Sequence, residues 1–138
     1  MHNKTLKSMK RRLFLTLALV CVIAVAGAKS KRMQYRSLDV KTFERYIERD
    51  DVVLVDVRTA EEFAAGHIEG VDHNIDVRSA TFFQDYRSLP KDKRIAVYCK
   101  GGGRSKQVAG VLAGNGYKVA ELSVGYDGWV KAGGKTIK

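Results

Sequence analysis

A cysteine followed by a glycine-rich loop is the stretch of this sequence best suited to carry out chemistry. Residues 98–105 read YCKGGGRS, so that Cys99 precedes three consecutive glycines that lie between two cations. Consecutive glycines let the backbone curl until successive amide groups point into one concavity, and such a nest binds anions. The segment therefore predicts a reactive thiol on Cys99 beside an anion-binding loop formed by Lys100, Gly101, Gly102, Gly103, Arg104 and Ser105.

The segments on either side of the loop predict how the cysteine is held. The apolar run 94–98 is typical of a buried strand, and residues 105–112 have the pattern of a helix. A helix N-terminus and nearby cations lower the pKa of a cysteine from about 8.5 into a range of roughly 3.5 to 7.5, and the thiolate is the nucleophile. A second interpretation stays open, in which Cys99 is a buried, inert side chain before a flexible turn.

Helical and extended patterns alternate along the rest of the chain. Asp39 can cap the first helix, and Thr59 and Glu62 have the spacing of a capping box at the second. Phe82 and Phe83 are expected in the core. Helices are predicted at 39–49, 60–65, 79–86, from 105 to near Asn115-Gly116, and at 125–130, and strands at 33–36, 52–57, 74–75, 94–98 and 117–122.

This alternation predicts one α/β domain with a mostly parallel central sheet and helices on both faces. Ligands of such sheets bind outside the carboxyl ends of the strands, where Asp56, Arg58 and Cys99 all fall. We expect Asp56 to pair with the backbone or with an arginine rather than to act as a base. Two roles stay open for His67: a base for Cys99 or, as the favoured interpretation, a structural histidine bonded to the backbone.

The composition indicates an ordinary globular domain. The 138 residues are 45% hydrophobic and 29% charged, with a formal net charge of +10. Five basic residues lie within the first 12 positions with no acid among them, so the remainder carries 20 basic and 15 acidic residues. Because this mild excess forms no basic, aromatic-rich stripe, we expect no nucleic-acid partner.

The first 28 residues predict an export signal. A cationic start is followed by the apolar run 13–26 and by Ala26-Gly27-Ala28, which fits the cleavage pattern of a signal peptide. The chain is thereby divided into a signal peptide at 1–28 and a domain at 29–138, which would be periplasmic or otherwise exported and free of the membrane. Two alternatives stay open. One is an uncleaved anchor, although residues 13–28 number only 16, which is short against the roughly 20 of a spanning helix. The other is a lipid on Cys21.

Removal of this signal would leave Cys99 as the one cysteine of the exported protein. A single cysteine cannot form an internal disulfide, and a lone thiol in an oxidising compartment is a liability unless it is used. Cys99 with His67 and His73 lacks the spacing of a zinc cluster, so we expect neither a metal site nor a cofactor.

Several motifs occur together in one order along residues 33–131. They are LVDVR at 54–58, EF at 62–63, GHIEG at 66–70, NI at 74–75, C-x-GG-x-RS at 99–105 and GYDGW at 125–129. One of them alone would be weak, but the ordered set resembles a single-domain rhodanese. Together with the export signal, it is similar to the small periplasmic rhodaneses of the phage-shock type.

The resemblance implies a sulfurtransferase. Such an enzyme takes a sulfane sulfur from a small anionic donor, thiosulfate or a persulfide, onto a cysteine and passes it to cyanide or to a thiol, which can belong to a partner protein. The family's nucleophile falls on Cys99, its anion-cradling loop on residues 100–105, and its substrate-binding arginine on Arg58. In two-domain members a lysine stands two places after the cysteine, where this chain has Gly101, and this departure leaves the preference for thiosulfate open.

Three other functions are compatible with parts of this pattern. A cysteine phosphatase uses a similar thiolate loop, but its pattern has five residues between cysteine and arginine, whereas Cys99 and Arg104 are separated by four. A non-catalytic binding module of the same fold commonly lacks the cysteine. A persulfide carrier that serves one protein acceptor would use the same residues and differ only in its partner.

Overall fold

The structure, a computed structural model, describes residues 34–138. These residues contain seven strands, five α-helices and one short 3-10 helix (Tyr86–Ser88). The strands are β1 (Arg36–Leu38), β2 (Val52–Asp56), β3 (His67–Ile68), β4 (His73–Asn74), β5 (Arg94–Tyr98), β6 (Lys118–Leu122) and β7 (Thr136–Ile137). The helices are α1 (Val40–Ile47), α2 (Ala60–Ala65), α3 (Phe82–Asp85), α4 (Gly103–Gly114) and α5 (Gly125–Lys131). The predicted signal peptide at 1–28 lies outside the described residues, and among these residues no helix is long and apolar enough to cross a membrane.

Five of the strands form one parallel sheet in the order β1-β6-β5-β2-β4. β5 therefore lies in the middle, hydrogen bonded to β2 on one side and to β6 on the other. Its side chains alternate between two hydrophobic clusters: Ile95 and Val97 pack with α3 and α4, whereas Ala96 and Tyr98 pack with α1 and α5. This two-sided burial explains why the strand is apolar throughout, and it confirms the predicted α/β fold with helices on both faces.

The capping patterns in the sequence form as predicted. Asp39 accepts a hydrogen bond from the Thr42 amide at 2.7 Å and begins α1. At α2 the Thr59 hydroxyl accepts from the Glu62 amide at 3.2 Å, and the Glu62 carboxylate accepts from the Thr59 amide at 3.0 Å. The reciprocal bonds fix α2 directly after β2, and they hold Glu62 at a defined position.

The structure differs from the sequence expectations in several short elements. Phe83 is 58% exposed and not part of the core, because α3 is a single turn whose consecutive residues cannot both face inward; Phe82 does. The first strand is displaced to residues 36–38, α4 begins two residues earlier than expected, and α3 is shorter than the predicted helix. A two-residue strand, β7, pairs with β3 in a second sheet, and its length is too small to leave a pattern.

The start of α5 is bonded to the loop that follows β5. The amides of Tyr126 and Asp127 donate to the carbonyl oxygens of Cys99 at 2.8 Å and Lys100 at 3.0 Å. Gly125 makes this approach possible, because it has a φ of +63° and because a Cβ atom there would lie 2.3 Å from the Lys100 oxygen. Residue 125 must therefore be glycine if the loop is to keep its position.

Gly125→Ala should thus destabilise the domain through both a clash and a strained φ. We expect a loss of about 2–3 kcal/mol, which corresponds to about 10–20 °C in melting temperature for a domain of this size. Gly133→Ala is the matched control, since its φ of +81° carries the same strain while no atom lies within 4 Å of a Cβ atom there. The control should lose only about 1 kcal/mol. Equal losses in thermal unfolding of the two variants would contradict this account of Gly125.

Candidate active site

Cys99 directly follows β5, and its side chain is 1% exposed. Its sulfur accepts a hydrogen bond from the amide of Gly102 at 3.1 Å. α4 begins at the next residue, Gly103, so the sulfur lies at the N-terminus of a 12-residue helix. The predicted arrangement of strand, cysteine, glycine loop and helix is therefore confirmed, and the positive end of the helix dipole favours a negative charge on the sulfur.

The turn at Gly102 depends on the absence of a side chain. This residue has a φ of +99°, and a Cβ atom on it would lie 2.3 Å from the carbonyl oxygen of Ser123. Gly102 therefore fits closely against the chain that follows β6 while its amide points back to the cysteine. Neither Gly101 nor Gly103 meets such a constraint, since no atom lies within 4 Å of a Cβ atom at either position.

Two opposing effects act on the pKa of the Cys99 thiol. Burial raises this pKa, because the charged form is desolvated. Hydrogen bonds from the side chain and backbone of Ser105, and from the backbone of Gly102 and Gly101, lower it, and together they outweigh burial. The pKa consequently lies below the ordinary value of a cysteine, as the sequence predicted for an acidic thiol in this loop.

The side chain of Arg104 is bound by a carboxylate that the sequence analysis did not connect with the site. Its two terminal nitrogens each donate to one oxygen of Glu62 at 2.8 Å. The guanidinium holds the pKa of Glu62 at about 2, against an ordinary value of 4.5, so the pair is intact at neutral pH. Hydrogen bonding to Glu62 is the main cause that raises the pKa of Arg104, and the charge on Cys99 adds to this effect.

The other cation of the loop, Lys100, is exposed and paired as well. Its ammonium donates to Asp127 of α5 at 2.6 Å, and both side chains are more than half exposed. Such a pair contributes little to stability and opens readily. Lys106 was not anticipated at the site; its ammonium donates to the carbonyl oxygens of Ser123 at 3.0 Å and Gly102 at 3.4 Å.

Arg58 has contacts that do not support the substrate-binding role expected for it. Its side chain is 3% exposed, and it bonds the Asp56 carboxylate at 2.6 Å and the Gly66 carbonyl oxygen at 2.7 Å. The guanidinium also lies 4.2 Å from the ring centroid of Tyr126, above its face. These contacts tie β2, α2 and α5 together, and they give Asp56 the arginine partner that the sequence analysis favoured.

His67 has the contact of a structural histidine. Its Nδ1 lies 3.0 Å from the carbonyl oxygen of Phe63, and the two rings stack with centroids 3.8 Å apart. The ring therefore closes the end of α2 against β3. This backbone contact is the one that the sequence analysis favoured over a role as base.

A cavity of about 250 Å³ lies on the opposite face of the sheet from α4. None of the predicted site residues lines it, so its position does not coincide with the chemistry expected of Cys99. Its walls come from α1, α5 and the segments after β3 and before β7, and include Glu44, Ile47, Leu54, Glu69, Trp129 and Lys135.

The site therefore combines a buried Cys99 sulfur, a thiol whose pKa is lowered, and backbone hydrogen-bond donors near the sulfur. Such a sulfur can attack an electrophilic atom small enough to enter the loop. The donors then stabilise negative charge that remains on the product, as an oxyanion hole does for oxygen.

Comparison with known proteins agrees with this fold and site. A family model described as the Rhodanese-like domain matches residues 39–132. A sulfurtransferase of Allochromatium vinosum is 34% identical over 95 residues, which are 65% of this chain and 82% of that protein. The crystal structure of a rhodanese-related protein from Thermoplasma volcanium superimposes with a TM-score of 0.67 and 25% identity, covering 75% of this chain and 98% of the other.

Other relatives are longer proteins with a different name. A tRNA uridine(34) hydroxylase of Acinetobacter baylyi is 41% identical over 86 residues, which are 58% of this chain. The match spans only 26% of the hydroxylase, about a quarter of its length. Since the family model covers more than half of the chain and the same fold recurs in the solved relatives, the chain belongs to the rhodanese-like domain family.

Proposed function

We propose that the protein is a sulfurtransferase that carries sulfane sulfur as a persulfide on Cys99. The observation that carries this proposal is the environment of the Cys99 sulfur at the start of α4. The sulfur is buried, it accepts a hydrogen bond from the Gly102 amide, and the pKa of the thiol is lowered. Its relative in Allochromatium vinosum is named a sulfurtransferase and is matched over most of its length. The tRNA hydroxylases weigh less, because the chain corresponds to about a quarter of such a protein.

The reaction would consist of two displacements on sulfur. The Cys99 thiolate attacks the outer sulfur of thiosulfate or of a persulfide donor; the new S–S bond forms as the old one breaks, and sulfite or a thiolate leaves with the bonding electrons. Cyanide or an acceptor thiolate then attacks the outer sulfur of the Cys99 persulfide, forms thiocyanate or a new persulfide, and releases the Cys99 thiolate. The electrons balance within each step, so neither a cofactor nor an external oxidant is needed.

The loop would hold the donor mainly through backbone amides and Arg104. The backbone of Gly101, Gly102 and Ser105 donates toward the sulfur of Cys99. Both cations of the loop, in contrast, are paired with carboxylates. This pairing lowers the net positive charge that a doubly charged thiosulfate meets. Donors with a single negative charge, such as organic persulfides, would lose less binding affinity from this reduction in positive charge.

Loading of Cys99 with sulfur is the direct test of the proposal. After incubation of the full chain with thiosulfate, the peptide that contains Cys99 should gain one sulfur atom, about 32 Da, and cyanide or a small thiol should remove it. Mass spectrometry of the peptides separates Cys99 from Cys21, the other cysteine of the chain. Cys99→Ser should gain no sulfur and transfer none, because a serine hydroxyl is far too weakly acidic to attack without a base.

The same experiment separates the rival functions. A cysteine phosphatase would hydrolyse an aryl phosphate and leave the mass unchanged after thiosulfate. If a range of donors gives neither the sulfur adduct nor phosphate release, the proposal that the protein is an enzyme is overturned, and a non-catalytic binding module is favoured. Loading by thiosulfate with transfer to protein thiols only would indicate a persulfide carrier.

The Arg104–Glu62 pair should control the affinity for charged donors. Glu62→Gln keeps the capping box, which accepts glutamine, but removes the charge that offsets Arg104, so the KM for thiosulfate should fall several-fold. Arg104→Ala should raise this KM about ten-fold or more, because one charge-assisted contact is lost. Steady-state kinetics with thiosulfate and with a singly charged persulfide should show the larger changes for thiosulfate.

Arg94→Ala provides the control for this pair of variants. Arg94 lies at the opposite end of β5 and pairs with Asp51 at 3.0 Å. The substitution therefore removes one positive charge from the protein without changing the loop. The KM of Arg94→Ala for thiosulfate should equal that of the wild type. If all three variants bind thiosulfate like the wild type, the anion site is not at Arg104.

We further propose that the domain is exported, to the periplasm or an equivalent compartment. The support comes from the cationic, apolar and Ala26-Gly27-Ala28 series alone. N-terminal sequencing of the expressed protein should find Lys29 as the first residue, in the soluble exported fraction. Recovery of intact residues 1–28 in the membrane fraction would contradict this, and a lipid on Cys21 would replace it with membrane attachment.

A further inference from the structure

The ammonium of Lys106, on α4, lies among three oxygen atoms next to the loop. It donates to the carbonyl oxygens of Ser123 at 3.0 Å and Gly102 at 3.4 Å, and it lies 3.3 Å from one carboxylate oxygen of Glu121. An ammonium has three protons, so these oxygens can accept all of them. The side chain of Lys106 is 42% exposed, yet its charged end contacts a carboxylate that is fully buried. These contacts differ from those of a lysine on a solvated surface.

Glu121, near the end of β6, holds this ammonium in place. The carboxylate oxygen that lies near Lys106 also accepts from the hydroxyl of Ser37 on β1. The other carboxylate oxygen accepts from the hydroxyl of Ser105 on α4 at 3.1 Å. Burial of a carboxylate is costly unless the group is paired and hydrogen bonded. The contacts of Glu121 with β1 and α4 therefore fix the position that the ammonium takes.

Gly102 is the residue of the loop whose position depends on these contacts. Its amide donates to the sulfur of Cys99 at 3.1 Å. Glycine has no side chain that restricts its backbone, so contacts with other residues must hold Gly102 at its φ of +99°. Its carbonyl oxygen accepts from the ammonium and the amide of Lys106, at 3.4 and 3.3 Å, and from the hydroxyl of Ser105 at 3.1 Å. Loss of these contacts on the carbonyl side would also displace the amide on the other side of Gly102.

The same ammonium joins the loop to the turn that follows β6. A Cβ atom on Gly102 would lie 2.3 Å from the carbonyl oxygen of Ser123 and 3.0 Å from the ammonium of Lys106, so the two segments are in close contact there. Carbonyl oxygens carry partial negative charge and repel each other when they converge, unless a donor lies between them. The ammonium of Lys106 donates to both carbonyl oxygens, and it thereby stabilises the close approach of the two segments.

We propose that Lys106 is a positioning residue, which keeps the amide of Gly102 directed at the sulfur of Cys99. Glu121 anchors the ammonium of Lys106 and so takes part in the same task. The bond from the Gly102 amide replaces water that the buried sulfur has lost, so the geometry of this bond controls how readily the thiolate forms. Lys106 therefore acts on the nucleophile through the backbone of the loop.

The two cations within the loop have different contacts. Arg104 is paired with Glu62 of α2, and Lys100 is paired with Asp127 of α5. Among the hydrogen bonds of residues 34–138, neither of these side chains donates to a carbonyl oxygen of the loop. Their ion pairs therefore do not replace the contacts that Lys106 makes with the backbone.

This inference deepens the proposed function, since it concerns the same nucleophile, but its test does not require sulfur transfer. The pKa of Cys99 is measured in the full chain from the pH dependence of alkylation by iodoacetamide, followed on the Cys99 peptide. The decisive variant combines Lys106→Met with Glu121→Gln. It nearly keeps the sizes of both side chains, and it removes one positive and one negative charge, so their direct effects on the thiolate largely cancel. The pKa should nevertheless rise by roughly one unit, because a hydrogen bond to the charged sulfur is weakened.

Two further variants complete the test. Lys106→Met alone should raise the pKa of Cys99 at least as much as the double variant, since it removes the same contacts and a positive charge as well. If this single variant does not fold, because its buried carboxylate has lost its cation, the double variant still decides the matter. Lys93→Met is the matched control, because its ammonium donates to the carbonyl oxygen of Asp50 at 3.1 Å, at the opposite end of β5 from Cys99. The control should leave the pKa of Cys99 unaltered.

Two results would overturn the inference. If Lys106→Met raises the pKa and the double variant restores the wild-type value, Lys106 acts through its charge and not through the position of Gly102. If the double variant keeps the wild-type pKa and shows only a lower melting temperature, the pair holds α4 against β6 and has no effect on the nucleophile. A failure of the sulfurtransferase proposal would leave these alkylation rates as they are, so the two claims can fail separately.

Discussion

The hydrogen bond from the Gly102 amide to the sulfur of Cys99 is the contact on which the rest of this structure depends. A sulfur that is 1% exposed carries a negative charge only if dipoles replace the water it has lost. The loop supplies them because Gly102 can adopt a positive φ, and because α4 begins directly afterwards. The central strand and the start of α5 hold the beginning of the loop, at Cys99 and Lys100, so the fold acts as a support for these few amides.

Around this contact, positive side chains are arranged in pairs with carboxylates. Arg58 pairs with Asp56, Arg104 with Glu62, and Lys100 with Asp127. The first pair is buried, the second is partly buried and the third is exposed. The sequence alone predicted an anion-binding loop with the cations Lys100 and Arg104 in it. The structure shows a site whose charge is largely balanced, so that anion binding relies on oriented backbone dipoles more than on net charge, as helix N-termini allow.

Local patterns predicted the fold and the local backbone geometry around Cys99 well. The run at β5, the three glycines and the capping box of Thr59 and Glu62 each specify local geometry, and each forms as expected. Contacts between distant residues could not be predicted in this way. Glu62 meets Arg104 across 42 positions, and Ser37 meets Glu121 across 84, and nothing in either segment marks its partner. Glu121 in particular is the one acidic residue of β6, and its neighbours in the strand do not indicate its partners.

The central claim, that loop amides hold the sulfur through its chemistry, is tested most directly by a crystal structure of the protein after reaction with thiosulfate. We expect electron density for one additional sulfur bonded to Cys99, with amide nitrogens of the loop within roughly 3.5 Å of it. Density for the added sulfur pointing away from the loop, with no amide in reach, would contradict the claim even if the enzyme were active.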